Sequence, residues 1–189
     1  MRPLLAVAIA AIGLGLAATV IVLSGEPGFE RVQLGPWTSY PHLGAPDIDP
    51  YARAAAALDG LAPLGLNEGL AFVARTDDSG AALDSRCAYR ISGSDLPARL
   101  WTLAAYRADG RLQTNLAGRQ GLSSAGLLRA AGGDFVIAAA REARPGNWLP
   151  LGRSRSFVLA LRLYQASTSA LSSAYDGLSL PAIAREACS

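Results

Sequence analysis

The chain contains no lysine: all 17 of its basic residues are arginine. Ala and Gly are abundant beside them, so the bias reads as genomic base composition, not as an arginine code for phosphate. The formal net charge is only +2 and no run of like charge occurs. That leaves no electrostatic footprint for a nucleic-acid partner. Histidine is almost absent. The single residue, His42, lies close to an apolar N-terminal run, where a packing or surface role is the usual one. One histidine away from any serine motif does not make a Ser-His-Asp triad. Two cysteines and one histidine, scattered, do not have metal-ligand spacing, so neither a metal nor a cofactor is expected. Gly-x-Ser-x-Gly, His-Glu-x-x-His, a P-loop and a Gly-x-Gly-x-x-Gly between strand and helix are all missing. The remaining route to catalysis is through carboxylates. Asp47, Asp49, Glu68 and Asp84 could pair in space for glycosidase-like chemistry, although cap and turn roles already account for several of them.

What is present begins with a long apolar run. Pro3 to Leu23 carries no charge, and as a helix it spans the roughly 30 Å hydrocarbon core of a bilayer. Arg2 precedes it; Glu26 and Glu30 follow. A cleaved signal would have an apolar region of about 7–15 residues and then a small-residue cleavage site. Here Leu16-Ala17-Ala18 lies inside the run, and Val20 to Leu23 continues past it. The expectation is a retained anchor over residues 1–23 in the inner membrane. It makes a single pass, with the N-terminus cytoplasmic and the rest periplasmic. Residues 24–48 then read as a linker of turn formers and aromatics, with Trp37 and Tyr40 packing onto the domain. Residues 49–189 read as that domain.

The domain opens with Asp49 as N-cap, Pro50 at the first helical position and Gly60 past the end of a short alanine-rich helix. After Pro63 the period changes to two. Leu70, Phe72 and Ala74 share one strand face, and Cys87, Tyr89 and Ile91 another. Arg99 to Arg107 reads as a strand, turning at Ala108-Asp109-Gly110 into Arg111 to Asn115. Gly126–Ala130 and Phe135–Ala139 read as a hairpin around Ala131-Gly132-Gly133-Asp134. Pro145-Gly146-Asn147-Trp148-Leu149-Pro150 reads as a fixed turn. Phe157, Leu159, Leu161 and Leu163 then alternate with Val158, Ala160, Arg162 and Tyr164, the clearest strand in the chain. A helical turn is expected after Pro181. Short strands punctuated by turns, with one early helix, predict an antiparallel sandwich or barrel.

Several stretches carry a family likeness: Gly44-Ala45-Pro46-Asp47, Gly65-Leu66-Asn67-Glu68-Gly69-Leu70, Cys87-Ala88-Tyr89-Arg90-Ile91 and Leu100-Trp101-Thr102-Leu103. The most specific are Asn147-Trp148-Leu149-Pro150 and Leu161-Arg162-Leu163-Tyr164. On these the chain resembles DUF1214, a family of unknown function, in its small membrane-anchored alphaproteobacterial form. The resemblance implies an antiparallel jelly-roll-like β-sandwich and no established activity. It also implies a partner: in longer relatives this domain follows a DUF1254 domain, so a separate DUF1254-like chain is expected to assemble with this one.

Asn147 and Trp148 form either an aromatic platform with an adjacent amide for a sugar or other polar ligand, or a structural turn. Asn beside Gly and Pro favours the turn, with Trp148 capping the core. Arg162, with Tyr164 on its face, either meets a structural carboxylate or binds an anionic ligand. Two functions follow as expectations: a periplasm-facing binding or interaction module, or an envelope hydrolase using carboxylates in a sheet cleft. Both cysteines lie beyond the anchor, so in an oxidising compartment Cys87 and Cys188 are expected to pair, with Cα atoms about 4.4–6.8 Å apart.

Overall fold

The computed structural model describes residues 2–24, 31–41, 43–45, 47–58, 64, 68–166 and 177–188. His42 and Gly60 lie outside them. Helix α1, Arg2–Ser24, is long and apolar enough to cross a membrane, and none of its window Pro3–Val22 is buried against the rest of the protein. Helix α2, Pro50–Leu58, starts as its sequence dictates. The Asp49 carboxylate accepts from the amides of Tyr51 and Ala52 at 2.8 and 3.2 Å, satisfying two N–H groups the helix cannot pair itself.

The remainder is a two-layer sandwich. One sheet has six strands in the order β1 (Val32–Leu34), β2 (Trp37–Ser39), β3 (Gly69–Ala74), β9 (Phe157–Ala166), β5 (Ala98–Arg107) and β6 (Gly121–Ser123). The other has four, in the order β10 (Ala182–Cys188), β4 (Cys87–Gly93), β7 (Phe135–Ala140) and β8 (Asn147–Pro150). The inward rows are those the alternation selects. Leu159, Leu161 and Leu163 of β9, Phe72 and Ala74 of β3, and Trp101, Leu103 and Ala105 of β5 meet Tyr89, Ile91, Ile137 and Ile183 from the opposite sheet. Two aromatic contacts bridge the layers: Tyr89 meets Phe157 edge-on at 5.6 Å, and Trp101 meets Phe135 at 4.9 Å. At Gly69 the chain passes so close to β9 that a Cβ would lie 1.9 Å from the Leu163 carbonyl oxygen; glycine is the residue that fits.

Several local expectations are corrected. Residues 32–39, read as linker, supply β1 and β2, and Trp37 is fully buried with its indole N–H donating to the Pro181 carbonyl at 2.7 Å. Arg111–Asn115 is no strand, because a single bridge, Tyr106 to Leu112, is all that pairs it. Gly126–Ala130 is likewise not a strand. The arm beside β5 is β6, followed by a short 3-10 turn at Ser124–Gly126. The Asn147–Pro150 turn is instead strand β8, paired in parallel with β7. The loop 141–146 brings the chain back alongside itself, with Gly146 at φ 80 completing the reversal. Parallel pairs usually need a crossover of about a dozen residues or more, so this pair breaks the antiparallel rule of the rest. The tail after Pro181 forms β10, not a helical turn.

β10 is the last strand and an edge strand, and four ties hold it. Its ladder runs along β4. Arg185 donates to the Asp77 carboxylate at 2.8 Å, and Asp78 accepts from the Ile183 amide at 2.8 Å. Cys188 is bonded to Cys87, its register partner, with Cα atoms 3.8 Å apart, closer than the expected span. Asp77 is buried, which alone would raise its pKa. Bonds from Ser79, the Ala81 amide and Arg185 outweigh this and leave the carboxyl below its ordinary 3.8.

Two outcomes follow. Converting Cys87 and Cys188 to Ser should cost about 2–5 kcal/mol in denaturant unfolding, the range for removing a native disulfide that closes a long loop. Unchanged stability would show that the bridge constrains nothing. For pH, the depressed carboxyls of Asp77 and Asp84 contribute stability that is fully present above the unfolded value of 3.8. It is lost as pH falls through their folded pKa values. Thermal melts should therefore drop steeply below about pH 4. Asp77→Asn should flatten that drop at a cost in stability at neutral pH.

Candidate functional site

The structure separates the four residues singled out from the sequence. Asn147 and Trp148 lie on β8, at the edge of the four-stranded sheet. Arg162 and Tyr164 lie on the outward face of β9, in the middle of the other sheet.

Asn147 acts as an edge clamp. Its Oδ1 accepts from the Leu128 amide at 2.8 Å, and its Nδ2 donates to the carbonyls of Leu128 and Val136 at 2.8 and 3.0 Å. The side chain thus pairs Leu128 as a neighbouring strand would, and both of its N–H donors are used. Trp148 is half-buried, and its indole N–H donates to the Ala140 carbonyl at 3.0 Å. The Arg119 guanidinium lies 5.4 Å from its ring centroid, a cation–π distance. One ring face is therefore already engaged by a cation.

Trp148 lines the largest cleft described, about 710 Å³ in volume. Arg107 from the end of β5, Thr114 and Asn115 from the following loop, Arg141 after β7 and Arg153 after β8 line it too. Its lining contains three arginines and, among the described residues, no carboxylate. Arg141 is held in place: it donates to the Ser85 hydroxyl at 2.7 Å and to the Arg153 carbonyl at 3.2 Å. Ser85 is itself buried and donates to the Ser154 carbonyl at 2.7 Å. Arg107 pairs with Asp109 at 3.0 Å, but both side chains are nearly half exposed, so that pair is weak and exchangeable. Gln113 accepts from the Gly152 amide at 2.7 Å and keeps a buried Nε2 donor without a partner among the described residues. At Gly152 a Cβ would lie 2.5 Å from the Thr114 carbonyl oxygen, so the two loops bordering the cleft touch through a glycine.

Arg162 borders a smaller groove, about 70 Å³, on the outer face of the six-stranded sheet. Its floor is Val73, Val158 and Ala160, and Arg107 borders this groove as well as the cleft. The expected carboxylate partner is not there among the described residues. Arg162 donates instead to the Tyr106 hydroxyl at 2.9 Å and lies over that ring. Tyr164 is half-buried beside it and lines neither cavity.

The carboxylates considered for hydrolysis are placed elsewhere. Asp49 caps α2. Asp84 is bonded to Arg86 and Arg155, and those bonds, the Arg86 one first, hold its carboxyl far below the ordinary range. Asp47, Asp49, Glu68 and Asp84 are all absent from the lining of both cavities. The cleft arginines were not legible beforehand, since Arg107, Arg141 and Arg153 come from three distant turns with no spacing in common.

The model of the Protein of unknown function (DUF1214) matches residues 68–168, from the start of β3 through β9. The chain belongs to the DUF1214 family. The match contains the core strands and the whole cleft, and leaves β1, β2 and β10 outside. Among solved structures, the domain is similar to the VPA0106 protein from Vibrio parahaemolyticus. The TM-score is 0.59 and the identity 19%, over 72% of this chain and 35% of that one. A second, an uncharacterized protein from Burkholderia cenocepacia, aligns over 76% of this chain and 44% of its own with 17% identity and a TM-score of 0.41. The chain thus spans about a third to under a half of the length of these solved proteins. No curated protein matches. The first likeness establishes a shared fold and nothing about activity.

The two β8 residues can be weighed against each other. Trp148→Ala removes one hydrogen bond and part of a half-buried ring, so it should cost about 1–3 kcal/mol, below the about 3–5 of a fully buried aromatic. Asn147→Ala strands three hydrogen bonds and should cost at least as much, about 2 kcal/mol or more. Urea unfolding of the two variants checks this, and a silent Asn147→Ala would refute the clamp.

Proposed function

We propose that this protein is a membrane-tethered, periplasm-facing binding module of the DUF1214 family. It is held in the inner membrane by residues 3–23, and it works in assembly with a separate DUF1254-like chain. The observation that carries the binding reading is the cleft beside Trp148: roomy, bordered by three arginines and, among the described residues, by no carboxylate. Such a lining can hold and orient an anionic group but offers no acid–base pair to cleave one. An envelope hydrolase would need two carboxylates about 5–10 Å apart across a cleft, and among the described residues the cleft and the groove are lined by none. The tether reading is supported by α1, whose apolar span Pro3–Val22 is not buried among the described residues. The assembly reading rests on the family resemblance alone.

A reporter that is active only in the periplasm, fused after Ser189, should be active, and a strictly cytoplasmic reporter there should be silent. The opposite pattern would overturn the topology. Affinity purification of the tagged chain from detergent-solubilised membranes should recover a DUF1254-like polypeptide at a reproducible ratio. Its absence under mild detergents would remove the partner from the proposal.

A further inference from the structure

We infer that the cleft between the loops after β5, β7 and β8 is a binding site for a phosphate group carried on a larger molecule. This rests on the binding reading above and names its ligand class. Arg107, Arg141 and Arg153 enter from three separate segments, so guanidinium donors are offered from several directions. A tetrahedral phosphate uses such an array, whereas a planar carboxylate is satisfied by one fork. Arg141 is fixed by the Ser85 hydroxyl and the Arg153 carbonyl, which orders it before any ligand arrives. The three arginines are solvent-exposed, and Arg141 among them is held in position. Thr114 and the Arg119–Trp148 stack supply a further hydroxyl and a flat cationic wall.

Two features show that the ligand is larger than a free ion. The cleft volume of about 710 Å³ lies in the range of sites for organic ligands. On its rim stands Leu116, fully solvent-exposed at the tip of the 114–118 loop beside Ala117. An apolar tip beside basic residues suits either the apolar part of a soluble phosphate ester or the acyl boundary of a bilayer whose phosphate headgroup enters the cleft.

The test uses the full chain in detergent micelles, with inorganic pyrophosphate as probe and ionic strength held constant with chloride. Trp37 and Trp101 are buried in the core, so a change in tryptophan emission reports on Trp148, and Trp148→Phe should abolish it. Saturable binding is expected. It should weaken by about tenfold or more in Arg153→Glu and by less in Arg153→Gln, because charge reversal adds repulsion to the lost bond. Circular dichroism and melting temperature establish that each variant is folded. The absence of saturation, or equal affinity in wild type and Arg153→Glu, would overturn the site. A second arm identifies the source. In nanodiscs of phosphatidylcholine, whose zwitterionic surface carries headgroup phosphates without a net charge, compared with phosphate-free detergent micelles, a headgroup ligand should compete and weaken pyrophosphate binding, and Leu116→Ser should relieve that competition. Equal affinity in discs and micelles assigns the site to a soluble phosphate ester. Neither result depends on the companion chain, so failure here and failure of the assembly are read separately.

Discussion

The inward row of β9 is the constraint on which the rest depends. Leu159, Leu161 and Leu163 are fully buried, and their strand is hydrogen-bonded to β3 on one side and β5 on the other. Each such leucine contributes about 1.5–3 kcal/mol by leaving water. A slip of one residue in either register would replace that row by Val158, Ala160 and Arg162, so both neighbours are locked in phase. Once β3 and β5 are fixed, Phe72, Trp101 and Leu103 must face the second sheet. The outer face is left with Val158, Ala160, Arg162 and Tyr164 of β9 and with Tyr106 of β5. The ends of β5, β7 and β8 then deliver Arg107, Arg141 and Arg153 around one cleft.

The second sheet depends more on ties than on alternation. β8 exists because Asn147 pairs across to Leu128 and Val136, and β10 because the disulfide, Asp77 and Asp78 fasten it to β4 and the adjoining turn. Both are edge strands, which need such protection. Trp37 joins the two ends of the fold, since its indole bonds the Pro181 carbonyl just before β10.

Legibility in the sequence followed the same division. β3, β4, β7 and β9 announced themselves because each buries a period-two row, and α2 because Asp49 and Pro50 start it by local chemistry. The Cys87–Cys188 pairing was legible by elimination, given an oxidising compartment. β1, β2 and β10 were missed. Three residues hold no period, and β10 is a strand only through long-range ties such as Arg185 to Asp77. Pro145-Gly146 does turn the chain, but nothing local announces that the next four residues add a parallel strand. The cleft was illegible for a related reason. Its arginines have meaning only after the sandwich closes, whereas the residues with conspicuous chemistry, Asn147 and Arg162, are consumed by Leu128 and Tyr106.

With three arginines bordering one cleft and an N-terminal helix apolar enough to cross a membrane, the fold suits the proposed holding of an anion. Binding requires only donors that are already ordered, and Arg141 meets that requirement through Ser85 and the Arg153 carbonyl. The most direct measurement is anomalous diffraction from crystals of the full chain grown with tungstate, a heavy tetrahedral oxyanion. The tungsten peak should fall in the cleft within reach of Arg107, Arg141 and Arg153, and should vanish in Arg153→Glu crystals. A cleft without a peak, with tungstate at unrelated surface arginines, would contradict it.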